Sequence, residues 1–277
     1  MKKTKVKIPA KLNLSLDVVS KGEKFHDLKS LVCSINLYDE ITIIKRKDKK
    51  ITLKEKGISA GCEKEKNNAV KTAKLILDRY ADFGVDIRIK KGIPVGAGLG
   101  GSSADIAGVL IGYDMLLGGT LDLYSLAKEL GSDVNYMLGG GYAVISGKGD
   151  DVEYIESDKK LYFILLVEDK IVSAKDCFNV FDKQNKTYDN KTEVVVNYLK
   201  EGSDKFFKNL SNHLYSSAVE LLPKIEQNYE LLKNYGAATM SGSGSCVAGV
   251  YNTKSERDRV ARILKKQKVK IIIAETI

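Results

Sequence analysis

The chain has 277 residues, of which 43% are hydrophobic, 8% aromatic and 29% charged, with only 3 prolines. This composition excludes a disordered or collagen-like polymer and allows one large domain or two small ones around a sizeable core. Lys and Arg number 45 against 36 Asp and Glu, a formal charge of +9, which suits acidic partners such as phosphorylated small molecules, nucleic acid or an anionic membrane. The lysines fall in mixed clusters such as Lys45-Arg46-Lys47-Asp48-Lys49-Lys50 and read first as a solvated surface. The longest apolar run, around residues 163–167, is far short of the ~20 residues of a membrane span. The first twenty residues alternate polar and apolar, unlike a signal peptide. Cys33, Cys62, Cys177 and Cys246 are far apart, and His26 and His213 are the only histidines. Disulfide frameworks, zinc sites and histidine-rich metal chemistry are therefore disfavoured, and a reducing, cytoplasmic compartment is expected.

Residues 5–19 read as a strand, with Val6, Ile8, Ala10, Leu12, Leu14, Leu16 and Val18 on one face and Lys7, Lys11, Asn13, Ser15 and Asp17 on the other. Pro9 implies an edge position or a bulge. Residues 37–44 and 85–89 are further strands. Between them, residues 67–80 carry apolar side chains at helical spacing, capped by Asn67 or Asn68. Residues 106–117 are apolar nearly all round, as in a helix buried among neighbours. Residues 120–130 form an amphipathic helix that Gly131 ends. Strands follow at 142–146 and 162–167. The polar stretch 150–160 lacks periodicity and places a domain boundary near 155, dividing the chain into 1–155 and 156–277. Helices are expected at 193–200, 204–219, 223–234 and 255–266, with strands at 237–240, 246–251 and 268–274. The class is α+β.

The strongest local signal is Pro94-Val95-Gly96-Ala97-Gly98-Leu99-Gly100-Gly101-Ser102-Ser103-Ala104-Asp105. Residues this small let the backbone close around an anion, with successive N–H groups leading into a helix N-terminus. Ser102 and Ser103 are candidate helix caps. A Walker loop needs Lys after its last glycine, and a dinucleotide loop belongs after the first strand of a βαβ unit; neither condition is met here. A second glycine–serine loop, Met240-Ser241-Gly242-Ser243-Gly244-Ser245, lies between two strand-like segments.

These two loops, preceded by Pro9-Ala10-Lys11-Leu12-Asn13 in the same chain, resemble the GHMP kinases, a superfamily of small-molecule kinases. Phe25-His26-Asp27-Leu28, Ser34-Ile35-Asn36-Leu37-Tyr38-Asp39-Glu40 and Leu130-Gly131-Ser132-Asp133-Val134 resemble segments of those members that act on a cytidyl-diphosphate sugar alcohol. The resemblance implies a two-domain fold: an N-terminal domain like ribosomal protein S5 domain 2 and a ferredoxin-like C-terminal domain, with ATP and substrate in the cleft between them. It implies ATP on Pro94, Val95, Gly96, Ala97, Gly98, Leu99, Gly100, Gly101, Ser102, Ser103 and Ala104, with Asn67 or Asn68 near the adenine. Lys11 and Asp133 are the implied catalytic pair. Mg²⁺ is expected with the nucleotide, its protein ligands left open. Substrate contacts are assigned to Asn13, Phe25, His26, Phe178 and Gly242, with Phe25 and Phe178 sandwiching a cytosine and His26 on its edge. The expected partners are ATP and a phosphorylated small molecule, with no nucleic acid or membrane, for a monomer or homodimer.

Three departures stand out: Lys24-Phe25-His26 replaces Gly-Tyr-His, Ser102 replaces a third glycine, and Asn212-His213-Leu214 replaces Asn-Asp-Leu. Other acceptor alcohols within the superfamily (homoserine or mevalonate), a nucleic-acid-binding module and a silent ATP-binding regulator are the competing readings.

Overall fold

The computed structural model describes residues 2–22, 25–57, 66–184, 186 and 189–277; Lys24 and Cys62 lie outside them. In chain order the elements are β1 (Lys3–Asn13), β2 (Ser15–Lys21), β3 (His26–Lys45), β4 (Ile51–Gly57), α1 (Asn68–Tyr80), β5 (Val85–Lys91), α2 (Gly101–Leu117), α3 (Leu123–Leu130), α4 (Val134–Gly139), β6 (Tyr142–Gly147), β7 (Asp151–Ile155) and β8 (Tyr162–Leu166). They continue as α5 (Ala174–Gln184), α6 (Thr192–Lys200), α7 (Lys205–Lys208), β9 (Ser211–Asn212), α8 (Tyr215–Leu221), α9 (Lys224–Lys233), β10 (Ala237–Met240), β11 (Val247–Tyr251), α10 (Lys254–Lys266) and β12 (Ile272–Glu275). Two compact units interleave along the chain. The first comprises Met1–Ala10, Leu37–Val95 and Gly100–Gly140, and the second Lys11–Asn36, Gly96–Leu99 and Gly141–Ile277.

In the first unit, β4, α1 and β5 make a parallel crossover, with Ile51 beside Val85 and Gly57 beside Lys91. The last residues of β3 pair antiparallel with β5, from Glu40 opposite Lys90 to Lys45 opposite Val85. Ile41, Ile43, Leu53, Ile87 and Ile89 are buried on one sheet face, while Lys54, Lys56, Arg88 and Lys90 are exposed on the other, the alternation that a half-covered sheet requires. The helix α2 packs closely on the buried face. A side chain at Gly108 would lie 2.5 Å from Ile41 Cδ1, and Thr4 Oγ1 donates to Gly112 O at 2.8 Å. The cap of α1 falls on Asn67, whose side chain accepts from Ala69 N–H.

In the second unit, the first half of β3 pairs with β2, Lys21 opposite His26, and with β6, Cys33 opposite Tyr142. A separate four-stranded sheet has the order β10-β11-β8-β12, antiparallel throughout. This is the ferredoxin-like arrangement the resemblance implied. Its core gathers Ile164, Leu166, Ile225, Leu232, Val247, Val260 and Leu264. Thr253 opens α10 with a reciprocal capping box to Glu256.

Several elements differ from expectation. The predicted strand at 5–19 breaks at Leu14, and most of its polar face is buried too: Lys11, Asn13, Ser15 and Asp17 are covered while Lys7 is exposed. The expected helix at 204–219 is instead α7, β9 and α8, because Asn212 spends its side chain on Leu214 N–H and on the carbonyls of Met240 and Gly242. The polar stretch near 155 holds β7, which pairs only with β6 and buries Ile155 alone. The short strand β4 and the helix α5 lie outside the expected elements; α5 fully buries Cys177 and packs Phe178 and Phe181 only partly against the core. Cys33, Cys177 and Cys246 are free thiols. Among the described residues no helix is long and apolar enough to cross a membrane.

Replacing Ile164, fully buried at the centre of β8, by alanine is expected to cost ~2–5 kcal/mol. Urea unfolding checks this: the midpoint falls while the slope is unchanged. Ile273→Ala, at an exposed β12 position, is expected to shift it by less than ~0.5 kcal/mol.

Candidate active site

The glycine loop is built by main-chain geometry. Gly96, Gly98 and Gly100 have φ of +67°, +78° and +75°. Within the second unit, the carbonyls of Ala97, Gly98 and Leu99 accept from Cys246 N–H (3.1 Å), Ser241 Oγ (2.8 Å) and Lys11 N–H (3.0 Å). With those three acceptors tied down, the N–H groups of residues 96–100 donate to no described residue. A Cβ at Gly98 would sit 2.1 Å from Ser241 O, so both its backbone angle and the close approach require glycine. The loop runs into α2, whose N-cap is Gly100 with no side-chain cap. The serines therefore do not cap the helix as expected. They lie in its first turn, where Ser102 Oγ accepts from Asn68 Nδ2 at 2.6 Å. Free N–H groups at the head of a 17-residue helix make a site for an anion.

Within the second unit, Asn13 is the hub of a buried polar cluster. Its Oδ1 accepts from Lys11 Nζ (3.0 Å) and Gly242 N–H (2.9 Å), with Ser241 Oγ, whose single proton goes to Gly98 O, 3.1 Å away, and its Nδ2 donates to Ser30 Oγ (2.7 Å). The strand that carries Lys11 and Asn13 two residues apart thus brings an ammonium and an amide to the second glycine–serine loop. Lys11 is only 6% exposed, so its charge relies on such partners. Asp133, in the first unit, directly precedes α4 and does not cap it with its side chain.

Also in the second unit, His26 and Phe178 come together. Their rings stack at 4.6 Å and 15°, and His26 Nε2 lies 2.7 Å from Asp182 Oδ1. Lys21 Nζ, 2.6 Å from the other oxygen, chiefly holds the Asp182 carboxyl below its usual range, with His26 assisting. Phe25 is 62% exposed, with Lys148 Nζ 5.8 Å from its ring. The face of Phe178 expected for a cytosine carries His26, and the structure does not bring Phe25 to it. The departing His213 is buried, its Nδ1 accepting from Val18 N–H at 3.0 Å. Asn67 is occupied by its cap and by Glu55 (3.2 Å), whereas Asn68 reaches the first turn after the loop.

Sequence reasoning missed a buried charged group in the first unit. Lys91 Nζ lies 2.5 Å from Asp39 Oδ2 and 2.7 Å from Asp105 Oδ2, with Gly101 O at 3.3 Å. Asp39 Oδ1 accepts from the N–H groups of Gly92 and Ile93 at 2.8 and 3.0 Å. The available signal was Asp105 itself, an acid near the start of an otherwise apolar helix, which must find a cation when buried. Burial pushes its carboxyl up to about 7 against the pull of Lys91, with Asp39 adding to the rise. Burial also opposes the charge on Lys91, but the two carboxylates outweigh it and hold the ammonium above its ordinary range. Because the folded carboxyl titrates well above an unfolded aspartate near ~3.9, its contribution to stability is full below the unfolded value and is lost as pH rises through about 7. Asp105→Asn is therefore expected to raise Tm at pH 8 by at least ~3 °C and to lose that gain on acidification towards pH 4. Calorimetry across this range checks both.

Comparison with known proteins supplies the family. The model of the GHMP kinase N-terminal domain matches residues 67–149 and that of the C-terminal domain residues 198–270. A 4-diphosphocytidyl-2-C-methyl-D-erythritol kinase of Caldicellulosiruptor saccharolyticus is 32% identical over 98% of this chain and 96% of its own. The kinase of that name from Shouchella clausii is 33% identical over 93% of this chain and 89% of its own. A crystal structure of 4-(cytidine 5'-diphospho)-2C-methyl-D-erythritol kinase superposes with a TM-score of 0.82 at 25% identity, covering 98% of each chain. The fold is shared with homoserine kinase from Cytophaga hutchinsonii, at a TM-score of 0.77 and 20% identity over 100% of this chain and 95% of that one. With both domain models matched and relatives above 30% identity spanning nearly its whole length, the chain belongs to the GHMP kinases.

Proposed function

We propose that this protein transfers the γ-phosphoryl group of ATP to the 2-hydroxyl of 4-diphosphocytidyl-2-C-methyl-D-erythritol, a step of non-mevalonate isoprenoid precursor synthesis. The observation that carries the reading is the near-full-length identity of 31–33% to kinases bearing that substrate's name. The loop at residues 94–104 supports it physically, because uncommitted N–H groups beside a helix N-terminus favour a triphosphate. No other reading of the site is favoured by an observation of comparable reach, since the likeness to homoserine kinase is one of fold.

Phosphoryl transfer asks a protein mainly for positioning and charge neutralisation. In this reading the main chain of residues 96–100 holds the phosphates, and Asn68 stands near the nucleotide. Lys11, held by Asn13, neutralises charge on the transferring group, and Asp133 orients the acceptor hydroxyl and receives its proton. Asn13, Gly242, His26 and Phe178 face the substrate; Phe25, exposed beside Lys148, contacts it in this reading from the solvent side and forms no sandwich with Phe178. Mg²⁺ bound with the nucleotide would supply charge neutralisation on the phosphates, with Ser103 in the first turn of α2 as the candidate side chain to hold it. Among the described residues no three His, Cys, Asp or Glu side chains gather to hold a metal. The reading places the enzyme in the cytoplasm, as a monomer or homodimer, with small-molecule rather than nucleic-acid partners.

Initial rates of ADP release over a panel of alcohols test the acceptor. Turnover with the cytidyl-diphosphate compound and not with homoserine or mevalonate is expected, and the reverse preference contradicts the assignment. Asp133→Asn is expected to lower kcat by ~10²–10⁴-fold with ATP affinity held within about threefold. An unchanged kcat removes Asp133 from its role.

A further inference from the structure

The buried group Asp39–Lys91–Asp105 has a position that burial alone does not explain. Asp39 holds the N–H groups of Gly92 and Ile93, the two residues just before Pro94. Lys91 holds the carbonyl of Gly101 and the carboxylate of Asp105, in the first turns of α2. The ammonium joins the two carboxylates, so one continuous chain of charged hydrogen bonds spans from the segment before the glycine loop to the segment after it. Side-chain exposure is 4% for Lys91, 0% for Asp39 and 10% for Asp105. All three Nζ donors are spent on these partners.

Such a group is not a device for stability. Removing three charges from water is costly, and an apolar trio of similar volume is commonly as stable or more so. What the group does supply is geometry. Side-chain hydrogen bonds to charged partners are short and directional, and they fix both ends of a glycine-rich segment that buries only Pro94, Ala97 and Leu99. One carboxylate oxygen, Asp105 Oδ1, is buried without a hydrogen-bond partner, an expense that marks the other oxygen's contact with Lys91 as the one the fold has kept.

We propose that Asp39, Lys91 and Asp105 form a positioning staple that closes the two ends of the phosphate-binding loop and thereby sets affinity for ATP. The staple rests on the reading of residues 94–104 as the nucleotide loop; the identity of the acceptor alcohol does not enter it. The three residues act through the loop backbone rather than by touching the reacting atoms.

The test compares Asp105→Asn, which keeps an oxygen towards Lys91, with Asp105→Leu and Lys91→Met, which remove the contact. ATP dissociation constants are measured by titration calorimetry, alongside KM for each substrate, kcat and Tm. The contact-breaking variants are expected to bind ATP at least tenfold more weakly while KM for the alcohol stays within twofold, and Asp105→Asn to stay within threefold of the unmodified chain for ATP. A folded Asp105→Leu or Lys91→Met chain that binds ATP within twofold overturns the staple. So does an equal loss in the Asn and Leu variants, which would assign the effect to charge. Should Asp105→Leu not fold, Asp105→Ala carries the same expectation without added bulk. Failure of all contact-breaking variants to fold, with Asp105→Asn folded, assigns the group to the fold and also overturns the proposal. If the unmodified chain binds no ATP, the loop reading itself fails, whereas ATP binding with turnover of another alcohol leaves the staple standing.

Discussion

A loop that grips an anion with its own backbone must keep side chains out of the way and point its N–H groups outward together. Here the constraint is met by tying down three successive carbonyls, those of Ala97, Gly98 and Leu99. The partners come from β1, from the second glycine–serine loop and from the residue just before β11. This is why the small residues of three separate sequence segments belong to one physical device. Gly98 shows the tolerance: its α-carbon packs so close to Ser241 O that no side chain fits. The hub at Asn13 then adds the buried ammonium of Lys11 to the same neighbourhood of the second unit.

The charge balance also divides by environment. The lysines that give the chain its +9 lie largely at exposed positions, as on the outer sheet face of the first unit with Lys54, Lys56 and Lys90. Such charges are screened and contribute little to stability. Among the described residues the buried lysines are Lys11 and Lys91, each held by named acceptors. Function on this scaffold is argued from those few, because a desolvated charge acts at far greater strength than a solvated one.

The sequence was most informative where chemistry is local. A cap at Asn67 or Asn68, the buried helix over residues 106–117 and the two glycine loops follow from spacing and residue size, and the strands β5, β6, β8 and β11 from apolar patterning; the structure starts that helix at Gly101 and caps α1 with Asn67. It was least informative where a long-range partner decides. The strand β4 is lysine-rich and gains its place only by pairing with β5. The helix α5 buries one residue, and the segment around Asn212 forgoes a helix for hydrogen bonds to Met240 and Gly242. Alternation separated the two faces of the first strand but reports parity and not what covers each side, so the burial of Lys11, Asn13, Ser15 and Asp17 was not legible. The group at Lys91 was invisible for the same reason, since Asp39 stands 52 residues away in sequence. Among candidate site residues, the structure gathers Lys11, Asn13 and Gly242, and separately His26 and Phe178. Phe25 projects into solvent, an outcome that residue type alone could not indicate.

The central claim is that main-chain amides of the glycine loop hold the triphosphate. Amide hydrogen exchange in the presence and absence of ATP measures this directly, residue by residue. The account predicts that amides within residues 96–103, which donate to no described residue and lead into α2, exchange at least tenfold more slowly with ATP bound. Protection that appears elsewhere in the chain while these amides exchange at an unchanged rate would contradict it.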